Sequence, residues 1–164
     1  TADHGLAVGH HGLVGKQNMY DDSVRVPFMV VGPDVKAGSK TDAPVYLQDV
    51  MATTLDLAGA DMEEVDFKSI VPVLRGERTD TYAAIYGAYK GSQRMVIKDD
   101  WKLVAYPNIG VKRLFNLARD PQEMDDLAGN PEYTLVLKRL SALLEAKMDS
   151  LGDPMTSLEE GSDL

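Results

Sequence analysis

The strongest periodic pattern in the chain lies near its C-terminal end. Tyr133, Val136, Leu137, Leu140, Leu143, Leu144 and Met148 recur at three- and four-residue spacing, which puts them on one face of a helix. Asn130-Pro131-Glu132 opens that helix and Gly152-Asp153-Pro154 closes it. Leu47, Val50, Met51, Thr54, Leu55 and Ala58, followed by Gly59, predict a second amphipathic helix with a glycine stop. Ahead of it, the apolar run 26–31 ends at Gly32-Pro33 and reads as a short strand buried on both faces of a parallel sheet. Strand then helix is α/β grammar. The second half changes character: Tyr82 to Tyr86, Met95 to Lys98, Trp101 to Tyr106 and Val111 to Leu117 are short strand-like runs, with Asp99-Asp100 as a hairpin turn. Asp120-Pro121-Gln122-Glu123 has the form of a capping box and predicts a helix start. The pattern is an antiparallel sheet covered by a helix. Residues 153–164 carry four acidic and no basic residues, and read as a frayed acidic tail.

Composition narrows the function classes. The 164 residues are 44% hydrophobic with both signs of charge, enough for one moderate core. A net charge of −9 argues against nucleic acid or an anionic membrane surface as partner. No apolar run approaches the length of a membrane span, and no signal peptide is visible. There is no cysteine, so these residues offer no disulfide, thiolate ligand or thiol nucleophile. The chain starts at Thr1, two residues before its most polar cluster, which raises the expectation that the front of a larger protein precedes it.

That cluster holds all three histidines: Asp3, His4, His10, His11 and Lys16 stand among glycines in the first sixteen residues. Taken singly they are ordinary. Asp-His-Gly forms turns, adjacent residues of extended backbone point opposite ways, and a lone lysine is usually a solvated amine. Taken together they suggest a receptor. Carboxylate and imidazole can share a divalent cation, and an ammonium beside it can hold a tetrahedral oxyanion such as sulfate or phosphate.

The stretch Thr1-Ala-Asp-His-Gly-Leu-Ala-Val-Gly-His-His-Gly-Leu-Val-Gly-Lys16, with Tyr20 and Arg25-Val26-Pro27 behind it, resembles a segment of the type I (formylglycine-dependent) sulfatases. That segment reads (S/T)-x-D-(H/N)-G-x-x-x-G-x-H-G-x-x-x-K. Asp49 to Gly59 resembles the family's D-x-x-x-T-(L/I)-L-x-L-A-G helix, and Ser69 to Gly76 its S-L-x-P-L-L-x-G. Leu114 to Leu117 with Asp120 to Glu123 and Leu127-Ala128 resembles L-Y-D-L-x-x-D-P-x-E-x-x-N-L-A, although Asn116 replaces the usual Asp and Asp126 the usual Asn.

The resemblance implies the C-terminal part of an alkaline-phosphatase-like α/β fold. Residues 1–79 would belong to the catalytic α/β domain, 80–152 to an antiparallel subdomain with a long helix, and 153–164 to the tail. It implies that Asp3 and His4 are ligands of a divalent cation, calcium in this family, and that Lys16 contacts the sulfate group and the ester oxygen. His11 matches the family's G-x-H-G histidine, a catalytic candidate placed only as near the site, while His10 falls at a variable position. Tyr89, Lys90 and Arg94 are candidates for lining the substrate pocket. The substrate would be a sulfated small molecule or glycan, and the setting periplasmic, secreted or lysosomal. The family's formylglycine nucleophile is made from a cysteine, so it and two further metal-binding aspartates are expected upstream, in an N-terminal part of the same protein.

The chemistry is coherent. A hard cation on sulfate oxygens and an ammonium near the bridging oxygen both stabilise the charge that develops on the leaving group. Calcium prefers oxygen ligands and imidazole suits softer metals, so a metal is better indicated than its identity. Two other readings stay open: another hydrolase of the same superfamily, such as a phosphodiesterase or phosphonate hydrolase, and a non-catalytic sulfatase-like binding lobe.

Overall fold

The computed structural model describes residues 1–155. In chain order its elements are β1 (Ala7–Val8), β2 (Val14–Gly15), α1 (Asp21–Val24), α2 (Asp49–Ala58), α3 (Val71–Leu74), β3 (Ile85–Tyr89), β4 (Gln93–Lys98), β5 (Trp101–Tyr106), β6 (Val111–Asn116) and α4 (Thr134–Ser150). They fall into two compact units, one of Phe28–Ile85 and one of Ala2–Pro27 with the chain from Tyr86 onward.

In the second unit β3-β4-β5-β6 form an antiparallel sheet in sequence order, with α4 packed on β4 and β5. Asp99-Asp100 makes the expected two-residue turn, pairing Lys98 with Trp101, and Asp99 takes the left-handed conformation (φ 51°) that short polar side chains tolerate. Val96, Leu103, Val104, Leu114 and Phe115 are buried with Leu140, Leu144 and Met148, so successive turns of α4 close the core. The Asn130 side chain accepts from the Glu132 amide at 3.0 Å and caps a single 3-10 turn, Pro131–Tyr133, that leads into α4. The first strand of the sheet begins at Ile85, three residues later than the run from Tyr82 suggests.

In the first unit α2 ends at Gly59 in the left-handed conformation, as the glycine stop requires. The buried face of α2 is not the apolar one, however. Asp49, Ala52 and Thr53 are buried while Val50, Met51 and Leu57 are exposed. Polar bonds decide this orientation. The Asp49 carboxylate accepts from the Tyr46 amide (2.8 Å), the Lys68 amide (3.1 Å) and the Tyr82 hydroxyl (2.5 Å). Thr53 accepts from the Ile70 amide at 3.0 Å and donates to the Asp49 carbonyl. The D-x-x-x-T spacing thus ties one turn of α2 to residues 68–70, and burial beside Asp49 pushes the Tyr82 phenol well above its ordinary range.

Three expectations fail. Residues 26–31 form no strand: among the described residues nothing pairs with them, and Met29 and Val31 are 80% and 100% exposed. A strand needs a ladder partner as well as an apolar sequence. Asp120-Pro121-Gln122-Glu123 starts no helix, because Glu123 takes a left-handed φ of 58° and turns its carboxylate to the Asp21 amide at 2.6 Å. The tail reading fails at its first residue. The Asp153 side chain is only 7% exposed, and its carboxylate accepts from Arg94 Nε (2.6 Å) and Nη2 (2.8 Å), the Tyr86 hydroxyl and the Met155 amide. The rest of that reading, from residue 156 on, lies outside the described residues.

The Arg94 guanidinium holds the Asp153 carboxyl down at about 2, against an ordinary 3.8. The sign follows: a depressed carboxyl stabilises the fold above its unfolded value, and that contribution is lost as pH falls from about 4 toward 2. Asp153→Asn is expected to cost about 3 kcal/mol at pH 6 by stranding Arg94. The gap between the two proteins' urea midpoints should narrow below about pH 4; a gap constant down to pH 3 would contradict this origin.

Candidate functional site

The short β1/β2 hairpin builds the site. Its register pairs Ala7 with Gly15 and Val8 with Val14, so the chain doubles back and delivers Lys16 to the residues just ahead of β1. There the Asp3 carboxylate Oδ2 lies 3.1 Å from His4 Nε2, and Lys16 Nζ lies 2.5 Å from the same nitrogen. His4 Nδ1 is 2.8 Å from the Gly5 carbonyl. A carbonyl only accepts, so Nδ1 carries the ring hydrogen, and the Nε2 lone pair of the neutral ring accepts from the Lys16 ammonium, whose charge stands beside the Asp3 carboxylate. That is the tautomer a metal ligand needs.

Gly5 fixes where this cluster sits. Its amide donates to the Ser23 carbonyl at 2.9 Å, and a Cβ there would fall on the Asp22 carbonyl oxygen. The sequence suggests a glycine needed for its backbone freedom; the structure shows one needed for the space it leaves, since Gly5 is not among the positive-φ residues. Asp3 is 80% exposed and His4 35%, so the cluster opens to solvent and could receive a ligand.

Between β1 and β2 the loop is tight. Gly9 (φ 98°), His11 (φ 53°) and Gly12 (φ 69°) all take positive φ. This bends the chain so that His10 and His11 do not point apart as extended neighbours would; their rings meet edge to face at 5.9 Å. His11 stacks on Tyr20 at 3.8 Å and His10 Nδ1 lies 3.0 Å from Asp22 Oδ2. The structure therefore joins Asp3, His4 and Lys16 in one group, and His10 and His11 in another with Asp22. Sequence reasoning missed Asp22, whose only signal is its place after Tyr20 in the sulfatase-like stretch.

The three residues suggested for a substrate pocket are neighbours that differ in exposure. Tyr89 and Lys90 stand at the turn from β3 to β4, with Lys90 Nζ over the Tyr89 ring at 5.6 Å and the lysine exposed. Arg94 is only 2% exposed. Besides Asp153 it donates to the Lys90 and Gln93 carbonyls, at 2.6 and 2.8 Å. Four of its five N–H groups are committed to the fold and the side chain is buried, so the structure uses Arg94 as an anchor within this unit.

Residues 9–150 match the family model described as N-sulphoglucosamine sulphohydrolase, C-terminal. The chain belongs to this family. It is 38% identical over 153 residues to a choline-sulfatase of Rhizobium meliloti, covering 89% of this chain and 30% of that protein. A Bacteroides thetaiotaomicron protein assigned as a sulfatase superposes with a TM-score of 0.83 at 29% identity, covering 99% of this chain and 38% of that one. A further solved structure, in complex with its substrate D-glucosamine-2-N,6-O-disulfate, gives 0.80 at 29% identity over 93% of this chain and 34% of its own. The family member described here thus spans about a third of the length of these relatives. Its fold is that of the C-terminal part of the alkaline-phosphatase-like α/β enzymes, with the antiparallel sheet and α4 as the C-terminal subdomain. No helix among the described residues is long and apolar enough to cross a membrane.

Proposed function

We propose that the protein hydrolyses a sulfate monoester on a sulfated small molecule or glycan, and that Asp3, His4 and Lys16 bind its sulfate end together with a divalent cation. The observation that carries this reading is the convergence of Asp3 Oδ2 and Lys16 Nζ on His4 Nε2, within 3.1 and 2.5 Å. The donor set fits a cation. One anionic oxygen and one imidazole lone pair lie close enough to share it, and the calcium named by the sulfatase resemblance would draw its remaining oxygen ligands from other groups. The cation would polarise a sulfate oxygen.

The side chains then divide the work. Asp3 supplies the negative charge that retains the cation, and the Gly5 carbonyl keeps His4 in the ligating tautomer. With Asp3 and His4 holding a cation, Lys16 would give up its present contact with His4 Nε2 and its ammonium would be free for the substrate. Near the bridging oxygen that ammonium stabilises the leaving alkoxide or phenoxide without giving up its proton. None of the three is a covalent acceptor. The chain has no cysteine from which a formylglycine could be made, so the nucleophile is proposed to come from outside these 164 residues.

In the full-length protein Lys16→Ala is expected to lower kcat/KM for a chromogenic aryl sulfate by about 2–4 kcal/mol, a ~30- to 1,000-fold loss. Lys16→Arg should recover part of it. Equal kcat/KM for Lys16→Ala and the parent would refute the role. Faster turnover of the matching aryl phosphate or phosphonate monoester than of the sulfate would move the activity to a neighbouring branch of the superfamily.

A further inference from the structure

We infer that His10, His11 and Asp22 form a second metal site, selective for a borderline-soft divalent cation of the zinc type and separate from the Asp3–His4 pair. One ring nitrogen from each histidine and one carboxylate oxygen of Asp22 all lie within 4.8 Å of one another. Ligands of a tetrahedral zinc stand about 3.4 Å apart, given Zn–N and Zn–O bonds of about 2.1 Å. His10 Nδ1 and Asp22 Oδ2, at 3.0 Å, are already near that separation, and His11 offers a ring nitrogen to the same group.

Two independent features of the loop point the same way. The first is backbone strain: His11 sits at φ 53°, ψ 19°, between Gly9 and Gly12 that are also at positive φ. A non-glycine residue in this region costs free energy, and here that conformation turns two adjacent imidazoles to one side of the chain. The second is the state of Asp22. Its Oδ2 is buried and accepts no hydrogen bond, yet it faces an imidazole nitrogen across 3.0 Å. Two lone pairs at that distance need something between them, either a hydrogen on His10 Nδ1 or a metal ion. Stacking on Tyr20 fixes the ring plane of His11 and so holds the third ligand in place. Two imidazoles and one carboxylate are the donor set of zinc, nickel or copper; calcium, which wants six or more oxygens, is poorly served.

The test is titration of the metal-free full-length protein with Zn²⁺ by calorimetry, repeated with His10→Gln, Asp22→Asn and Asp3→Ala. The expected result is one micromolar equivalent that weakens at least about tenfold in His10→Gln and in Asp22→Asn and persists in Asp3→Ala. Millimolar Ca²⁺ should leave it unchanged and Ni²⁺ should compete. His10 is exposed, so His10→Gln keeps the test valid should Asp22→Asn fail to fold. Unaltered zinc binding in His10→Gln, loss of the same equivalent in Asp3→Ala, or no binding in the parent would each overturn the inference. The last would leave a plain His10–Asp22 ion pair.

Discussion

Asp3→Ala is expected to lower cation-dependent turnover of an aryl sulfate by at least about a thousandfold, about 4 kcal/mol, while leaving the fold intact. The size follows from charge. In the proposed arrangement Asp3 is the one anionic group of the Asp3–His4–Lys16 cluster, and without it a neutral imidazole faces the Lys16 ammonium with nothing to hold a divalent cation between them. Sparing of the fold follows from exposure: at 80% exposed, Asp3 buries little area, and such substitutions usually stay within about 0.5 kcal/mol. Activity measured against free Ca²⁺ separates the two effects. If Asp3 is a ligand, Asp3→Ala needs far more cation for any residual rate, while its melting temperature stays within about two degrees of the parent. Full activity at the parent's cation concentration would rule Asp3 out as a ligand.

The legible parts of this molecule are those encoded within a few residues of themselves. The stripe from Tyr133 to Met148 became α4 because its buried members, Leu140, Leu144 and Met148, repeat at four-residue spacing over a sheet. The Asp99-Asp100 turn and the Gly59 stop were readable for the same local reason. Longer-range chemistry was hidden. In α2 the apolar face lost to the polar one because Asp49 and Thr53 bond to residues 68–70, which no periodicity reveals. Glu123 looked like the far end of a capping box, yet its carboxylate serves Asp21, 102 residues earlier. Asp153 looked like a solvated acid and its side chain is buried on Arg94, 59 residues away. At the site, Asp3, His4 and Lys16 were legible through a motif, since their spacing only makes sense once a hairpin folds it. The alternation rule separated His10 from His11 wrongly, because it assumes an extended backbone and this loop has positive φ at three of its four central residues, Gly9, His11 and Gly12.

Lys102→Ala is expected to destabilise the fold by about 3–5 kcal/mol and to loosen the site at a distance. Lys102 lies in β5, fully buried, with Nζ 2.7 Å from Asp21 Oδ1 and 2.6 Å from Glu123 Oε1. Burial pushes the Glu123 carboxyl up even against the pull of the Lys102 ammonium, so removing the lysine leaves a buried acid with no counter-charge. The cost is that of stranding a partner and exceeds what the intact pair contributes. Lys102→Met with Glu123→Gln should therefore recover most of the loss, and a double-mutant cycle on urea midpoints measures the coupling. The consequence for the site runs through α1. Glu123 holds the Asp21 amide, α1 begins at Asp21, and the Ser23 carbonyl takes the Gly5 amide that seats Asp3 and His4. A folded Lys102 variant should accordingly show a raised cation requirement for turnover at nearly unchanged KM for the ester. A stability loss below about 1 kcal/mol would show that water, not Lys102, compensates the two carboxylates.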